Sequence, residues 1–207
     1  IDVLINNAGV MVCPFGKTAD GIEMQFGTKH IGHFLLTNLL MPAILAGANP
    51  RIVNLSSAGH THSDVNLDDH NFEKSEYNAW ESYGRSKSAN IHFTQEIVRR
   101  YGDRIQSFAV HPGVIMTELG RHLTPELMNE MTERVKSRAT SSSEAKETGA
   151  LPFKSVEAGA ATQVWASVTE NLSENNGAYL GDCQIGVEGG NPSESGYLPY
   201  IFNRDTA

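Results

Sequence analysis

Short runs of apolar and β-branched residues alternate along the chain with longer segments whose apolar residues recur at helical spacing. This alternation is typical of βαβ units, in which helices connect the parallel strands of a buried sheet. The pattern predicts strands at residues 2–6, 51–56, 106–111 and 178–180. It predicts helices at residues 21–44, 80–101, 125–136 and 156–168, the last of them capped by Ser155.

Two polar segments lie between these predicted elements. Residues 62–78 are polar and acidic, and we expect them to pass near a ligand site. Residues 137–149 are rich in Ser, Thr, Ala and Glu without apolar periodicity, which predicts a mobile loop.

The composition indicates one globular domain that binds small molecules. The chain has 207 residues, of which 40% are hydrophobic, and a net charge of -8. This length and this hydrophobic share suffice to bury a sizeable core in a single domain spanning residues 1–207. The negative charge and the lack of a long Lys/Arg run exclude a nucleic-acid partner.

Other residue types exclude further classes of protein. Cys13 and Cys183 make neither a disulfide framework nor a zinc pattern, which favours a reducing compartment such as the cytoplasm. The most apolar run, residues 34–45, is shorter than a bilayer span, so we expect no membrane segment in this chain. Four histidines have no carboxylate or Cys at ligand spacing, so no metal site is predicted at His30, His33, His60 and His62.

Candidate functional residues cluster where the predicted strands end. The first strand ends in Asn-Asn-Ala-Gly at residues 6–9, the second in Ser-Ser at 56–57, and the third in Pro-Gly at 112–113. Ligands of open α/β sheets bind in the crevice beyond the carboxyl ends of the strands. We therefore expect these three segments to line one ligand site.

Tyr83 and Lys87 lie one helical turn apart on the helix predicted after the second strand. That spacing puts both side chains on one helix face, with the ammonium near the phenol. A phenol with a pKa near 10 is a poor acid or base at neutral pH, but a nearby cation lowers that pKa. The pair can therefore perform general acid/base catalysis, and we expect Ser57 beside it.

Together these motifs resemble the short-chain dehydrogenase/reductase family. The resemblance is carried by the Asn-Asn-Ala-Gly run, Ser57, Tyr83-x-x-x-Lys87 and Pro112-Gly113-x-x-x-Thr117. Gly-His-Phe-Leu-Leu-Thr at residues 32–37 and His-Pro-Gly at 111–113 are similar to the retinol-dehydrogenase-like branch. The resemblance covers nearly the whole chain and implies an α/β fold, a Rossmann-like, doubly wound parallel sheet.

The resemblance implies reversible hydride transfer between NAD(P) and an alcohol or carbonyl group of an apolar small molecule. Tyr83 would be the general acid/base, Ser57 would bind the substrate oxygen, and Lys87 would lower the pKa of the phenol and hold the nicotinamide ribose. The cofactor would be NADP or NAD, with NADP favoured, and the protein would be able to form a homodimer. Besides Tyr83 and Lys87, the implied cofactor contacts are Asn6, Ala8, Gly9, Pro112, Gly113, Val114 and Thr117.

Two features depart from the family pattern. Lys29 stands where the family usually has a catalytic-site Asn that stabilises a helix kink, and its ammonium would repel Lys87 and reduce activity. The family's glycine-rich phosphate loop, with the first βαβ strands, does not occur in these 207 residues. We therefore expect the C-terminal two-thirds of a Rossmann-like domain, with strand 2–6 central in the complete sheet and weak NAD(P) binding by this chain alone.

Residues 118–153 are expected to form a substrate lid with an apolar face made of Leu119, Leu123, Leu127, Met128 and Met131. Two alternative functions stay open. Enzymes that epimerise or dehydrate sugar nucleotides also use Ser with Tyr-x-x-x-Lys, although the short segment after Pro112 disfavours them. A catalytically silent Rossmann-like binding or regulatory protein, or an inactive fragment, is favoured by Lys29 and by the missing phosphate loop.

Overall fold

The computed structural model of the chain describes residues 1–138 and 153–203. Four strands match the predicted ones: β1 (Val3–Asn6), β2 (Arg51–Leu55), β3 (Gln106–His111) and β4 (Tyr179–Gly181). Three further short strands follow: β5 (Gln184–Ile185), β6 (Val187–Glu188) and β7 (Gly196–Tyr197). The α-helices are α1 (Met24–Phe26), α2 (Gly32–Leu45), α3 (Ala79–Tyr101), α4 (Pro125–Arg138) and α5 (Val156–Val168).

The main sheet has five strands in the order β1-β2-β3-β4-β5. The first four are parallel, and β5 pairs antiparallel with β4. The register sets Asn6 beside Asn54 and Leu55 beside Val110, so the carboxyl ends of β1, β2 and β3 lie along one edge. This arrangement confirms the predicted parallel α/β sheet and brings the candidate motifs together.

Helices cover both faces of the sheet, as a doubly wound fold requires. Side chains alternate along a strand, so Ile52 and Val53 of β2 point to opposite faces. Ile52 packs in one core with residues of α2 and α3, including Ile44 and Phe93. Val53 packs in a second core with Ala166 of α5 and residues of β3 and β4.

The helix predicted at residues 21–44 is not continuous. A π-helical turn, Gly27–Ile31, separates α1 from α2 and contains Lys29. The side chain of Glu23 caps α1 by accepting hydrogen bonds from the backbone N–H groups of Gln25 and Phe26. Such π turns are frequent at functional sites, and this one aims the Lys29 side chain into the protein.

Several sequence predictions concern the ends of elements and the segments between them. Ser155 caps α5 as predicted, because its hydroxyl accepts a hydrogen bond from the N–H of Ala158. Strand β1 lies at the edge of the five-stranded sheet, with Val3 and Ile5 each about two-fifths exposed (40% and 41%). The loop predicted at residues 137–149 lies largely outside the described residues. Across residues 1–138 and 153–203, we find no helix with the length and apolar character needed to cross a membrane.

Candidate active site

A cavity of about 540 Å³ opens where β1, β2 and β3 end. Its lining combines the polar groups predicted from the sequence with a largely apolar remainder. Ser57, Tyr83 and Lys87 all contribute to its wall. The structure therefore brings three of the four predicted catalytic-site residues, all but Lys29, into the wall of one cavity.

Ser57 immediately follows β2 and caps the 3-10 turn Ala58–His62. Its hydroxyl oxygen accepts a hydrogen bond from the N–H of Gly59 at 3.0 Å. Ser57 also hydrogen-bonds to the hydroxyl of Tyr83. The two hydroxyl groups therefore form a pair that can bind one substrate oxygen.

Tyr83 lies in the second turn of α3 and is buried. Burial raises the pKa of its phenol, while the hydrogen bond with Ser57 acts in the opposite direction. The sequence predicted instead that Lys87 lowers this pKa. In this structure the Lys87 ammonium lies 5.6 Å from the ring centroid and donates to the Leu55 carbonyl at 2.9 Å, so the effect of Lys87 on the phenol stays a prediction.

Lys87 is buried beside the cavity, and burial lowers its pKa from the ordinary value of 10.5 to about 8. Its hydrogen bond to Leu55, together with one from Asn90 to the same carbonyl, ties α3 to the end of β2. A lysine with such a pKa changes charge close to physiological pH and can release or take up a proton there.

Replacing Lys87 by Met should remove a pH dependence of stability. Between pH 8 and 10.5 the unfolded chain keeps a proton on Lys87 that the native protein has released, so wild-type stability rises with pH in this window. The free energy of unfolding of the wild type, relative to that of Lys87→Met, should therefore increase by about 3 kcal/mol from pH 8 to pH 10.5. Urea unfolding at several pH values measures this difference, and a difference that stays constant with pH would contradict the lowered pKa of Lys87.

Lys29 does not line the cavity but lies behind the ring of Tyr83. It is fully buried, and its ammonium is 3.9 Å from the centroid of that ring. Its aliphatic stem packs beneath Gly9, where a Cβ would lie 3.3 Å from the Lys29 Cγ. Burial and repulsion from Lys87 hold the pKa of Lys29 well below its usual value.

Besides Tyr83 and Lys87, six of the predicted cofactor contacts line the cavity, namely Ala8, Gly9, Pro112, Gly113, Val114 and Thr117. Asn6 does not contribute to the lining. Its side-chain amide donates to Thr37 at 3.0 Å and to Asn54 at 2.8 Å, which joins β1 to α2 and β2. Its neighbour Asn7, which the sequence analysis did not select, lines the cavity instead.

The residues around the cavity fit the nicotinamide end of a dinucleotide. Gly113 has a φ of +88°, in the left-handed region that favours glycine, so β3 can end in a tight turn. A Cβ at Gly113 would also lie 2.7 Å from the Lys154 side chain. A cavity of about 540 Å³ at the ends of three parallel strands has room for the nicotinamide ring and for a substrate beside it.

His111 is a site residue that sequence reasoning passed over, although it lies directly before the Pro-Gly motif. Its Nδ1 accepts a hydrogen bond from the N–H of Ala58 at 3.2 Å, which fixes the backbone next to Ser57. Burial, with a smaller contribution from Lys154, lowers the pKa of His111 to about 4. The imidazole is therefore neutral at physiological pH and keeps Nδ1 available as an acceptor.

His60 connects Ser57 to the C-terminal part of the chain. The N–H of Leu198 donates to His60 Nε2 at 3.3 Å, so the ring proton is on Nδ1. Nδ1 then donates to the Ser57 carbonyl at 2.7 Å. The hydroxyl of Tyr200 donates to the carbonyl of His60 itself.

Apolar side chains make up much of the remaining cavity lining. Trp80 contributes to it and stacks on His62 with ring centroids 5.3 Å apart. The segment predicted as a lid adds apolar side chains to the lining: Leu119, Leu123, Met131 and Phe153. Residues 139–152 of that segment lie outside the described part of the chain.

Comparison with known proteins identifies the family. The sequence model of the family described as short chain dehydrogenase matches residues 1–127. Human retinol dehydrogenase 14 is 42% identical over 185 residues, which are 89% of this chain and 51% of that protein. Short-chain dehydrogenase/reductase prx1 of Penicillium roqueforti is 41% identical over 212 residues, covering 98% of this chain and 58% of that protein. The chain belongs to the short-chain dehydrogenase/reductase family, in its retinol-dehydrogenase-like branch, as its motifs predicted.

A solved structure supports the fold assignment. Gluconate 5-dehydrogenase from Burkholderia cenocepacia, in complex with NADP and tartrate, matches with a TM-score of 0.59 at 19% identity. The match covers 87% of this chain and 62% of that chain, which confirms the Rossmann-like fold. The chain spans about half the length of the retinol dehydrogenases that it matches, 51% for the human protein.

Proposed function

We propose that the protein is an NAD(P)-dependent oxidoreductase that interconverts an alcohol and a carbonyl group on an apolar small molecule. One observation carries this proposal. The hydroxyl groups of Ser57 and Tyr83 are hydrogen-bonded to each other in the wall of a cavity whose other sides are mostly apolar. Such a pair can bind the single oxygen atom of an otherwise apolar substrate.

A nicotinamide cofactor, when bound, supplies or accepts the hydride of this reaction. In the direction of reduction, the Tyr83 Oη gives its proton to the carbonyl oxygen, which becomes the hydroxyl of the product. Ser57 donates a hydrogen bond to the same oxygen and orients it. Lys87, with a pKa of about 8, is the nearby group that can return a proton to Tyr83.

The substrate class follows from the cavity lining and from the relatives. Leu119, Leu123, Met131 and Phe153 provide apolar contact area in the same cavity as the hydroxyl pair. Residues 118–153 would then act as the lid that closes over the substrate. Two of the most similar curated relatives are named retinol dehydrogenases, which suits a long apolar alcohol or aldehyde.

The substrate range tests this proposal. In the protein produced from the complete gene, kcat/KM should rise along a series of straight-chain aldehydes, because each added methylene is removed from water. Burial of about 0.8 kcal/mol per methylene corresponds to about fourfold per step. Cofactor absorbance with NADPH and with NADH reports the rates, and retinaldehyde should rank among the better substrates.

A sugar aldehyde of similar size is the control substrate and should react poorly. A preference for the sugar aldehyde or for a sugar nucleotide would favour the epimerase-like alternative. If neither cofactor supports turnover of any aldehyde or alcohol, while small molecules still bind, the protein is a catalytically silent member of its family.

A further inference from the structure

The ammonium of Lys29 lies against the face of the Tyr83 ring. Its Nζ is 3.9 Å from the ring centroid, whereas the Nζ of Lys87 is 5.6 Å away. Lys29 is fully buried, so this contact is shielded from water. Of these two lysines, Lys29 is therefore the nearer to the phenol ring.

Gln25 holds the Lys29 ammonium in this position. Its Oε1 accepts from the Lys29 Nζ at 3.0 Å and from the N–H of Val12 at 3.0 Å. Its Nε2 donates to the Tyr77 hydroxyl at 2.9 Å and to the Ala79 carbonyl at 2.8 Å. Because both ends of the amide have defined partners, Gln25 presents an acceptor to Lys29 in one fixed orientation.

The electrostatic surroundings of Lys29 come from several elements. Repulsion from Lys87 on α3 adds to burial in lowering the pKa of Lys29, and the Glu23 carboxylate before α1 opposes both. For Lys87, by contrast, burial is the cause of the lowered pKa. The titratable groups that act on or contact Lys29 are Cys13, Glu23, His33, Tyr83 and Lys87.

We propose that Lys29 helps Tyr83 to lose its hydroxyl proton. The Lys29 ammonium, on the face of the Tyr83 ring, carries a positive charge when the phenolate forms and stabilises it. The charge of a phenolate spreads into its ring, so a cation on the ring face stabilises the ionised form. Loss of the Tyr83 proton and gain of a proton by Lys29 then favour each other. Lys29 contacts Tyr83 and does not line the cavity, so it acts on the reaction only through Tyr83, as a positioning residue.

This inference rests on the proposed function and reverses the effect expected of Lys29 from the sequence alone. If Lys29 acted mainly by repelling Lys87, its removal would leave Lys87 more fully protonated and would make Tyr83 easier to ionise. If Lys29 stabilises the phenolate directly, its removal makes Tyr83 harder to ionise. The two roles therefore predict pH shifts of opposite sign.

The test compares wild type with Lys29→Met and Lys29→Gln, each in the protein produced from the complete gene. The first substitution keeps the apolar stem, and the second keeps an N–H donor for Gln25. Alcohol oxidation requires ionised Tyr83, so kcat falls at acid pH. This acid limb of the pH profile of kcat should move to higher pH by about one unit in both variants. Lys17→Met, which removes an ammonium paired with Glu73 at the surface, should leave the limb in place.

A second measurement does not depend on turnover. Ultraviolet titration of phenolate, with the titration of the matching Tyr83→Phe protein subtracted, isolates Tyr83 from the other five of the six tyrosines. It should show the same upward shift in both variants. An unchanged or downward shift in the folded variants overturns the role of Lys29. Absence of turnover in every protein would instead count against the proposed function, and the titration would still decide the role of Lys29.

Discussion

Replacing Tyr83 by Phe should lower kcat by about two to four orders of magnitude, because it removes the hydroxyl that we propose to transfer the proton. The fold should change little. The ring stays in place against Lys29, and one hydrogen bond, the one with Ser57, is removed at a cost of about 1 kcal/mol. Steady-state rates with a saturating apolar aldehyde, together with urea unfolding, measure the two effects separately.

Tyr179 provides a matched control for this substitution. It is another fully buried tyrosine, but it packs in a separate core with Ile91 and Ile201 and does not line the cavity. Tyr179→Phe should therefore leave kcat close to the wild-type value. Wild-type turnover in Tyr83→Phe would remove Tyr83 from the mechanism.

Replacing Gly59 by Ala should impair the same step by moving the Tyr83 ring. A Cβ at Gly59 would lie 2.6 Å from the Cδ1 of Tyr83, which is too close for two carbon atoms. The ring must shift, and misplacement of a catalytic group by about 1 Å can cost about a hundredfold in rate. We expect a similar loss of kcat, with about 1–3 kcal/mol of destabilisation from overpacking.

Gly16→Ala is the control for the added methyl group. A Cβ at Gly16 would meet no atom within 4 Å, so kcat and stability should remain near those of wild type. If Gly59→Ala folds and keeps full kcat, the position of the Tyr83 ring does not limit the reaction.

The sequence predicted the main elements of the fold closely because their patterns are strong. The third strand, predicted at residues 106–111, matches β3 (Gln106–His111), and the helix predicted at 156–168 matches α5 (Val156–Val168). The π turn at Gly27–Ile31 was missed because the apolar residues on both sides of it keep helical spacing. Strands of two residues, such as β6 and β7, carry no periodicity to detect.

The candidate site was predictable as a set of residues but not in its electrostatics. Strand ends and one turn of helix were enough to bring Ser57, Tyr83 and Lys87 together. Whether Asn6 or Asn7 faces the cavity depends on strand alternation, and two successive asparagines leave that choice open. The direction of the Lys87 ammonium depends on the Leu55 carbonyl and on burial, which only the folded chain defines.

The hydrogen bonds of His60 have a consequence for how the protein is made. Leu198 and His60 are separated by 138 residues, yet one imidazole links Leu198 to the carbonyl of Ser57. Contacts of such high sequence separation form late, and a nascent chain cannot form this one until Leu198 has left the ribosome. The backbone of Ser57 therefore reaches its final geometry only after about 140 further residues have been synthesised.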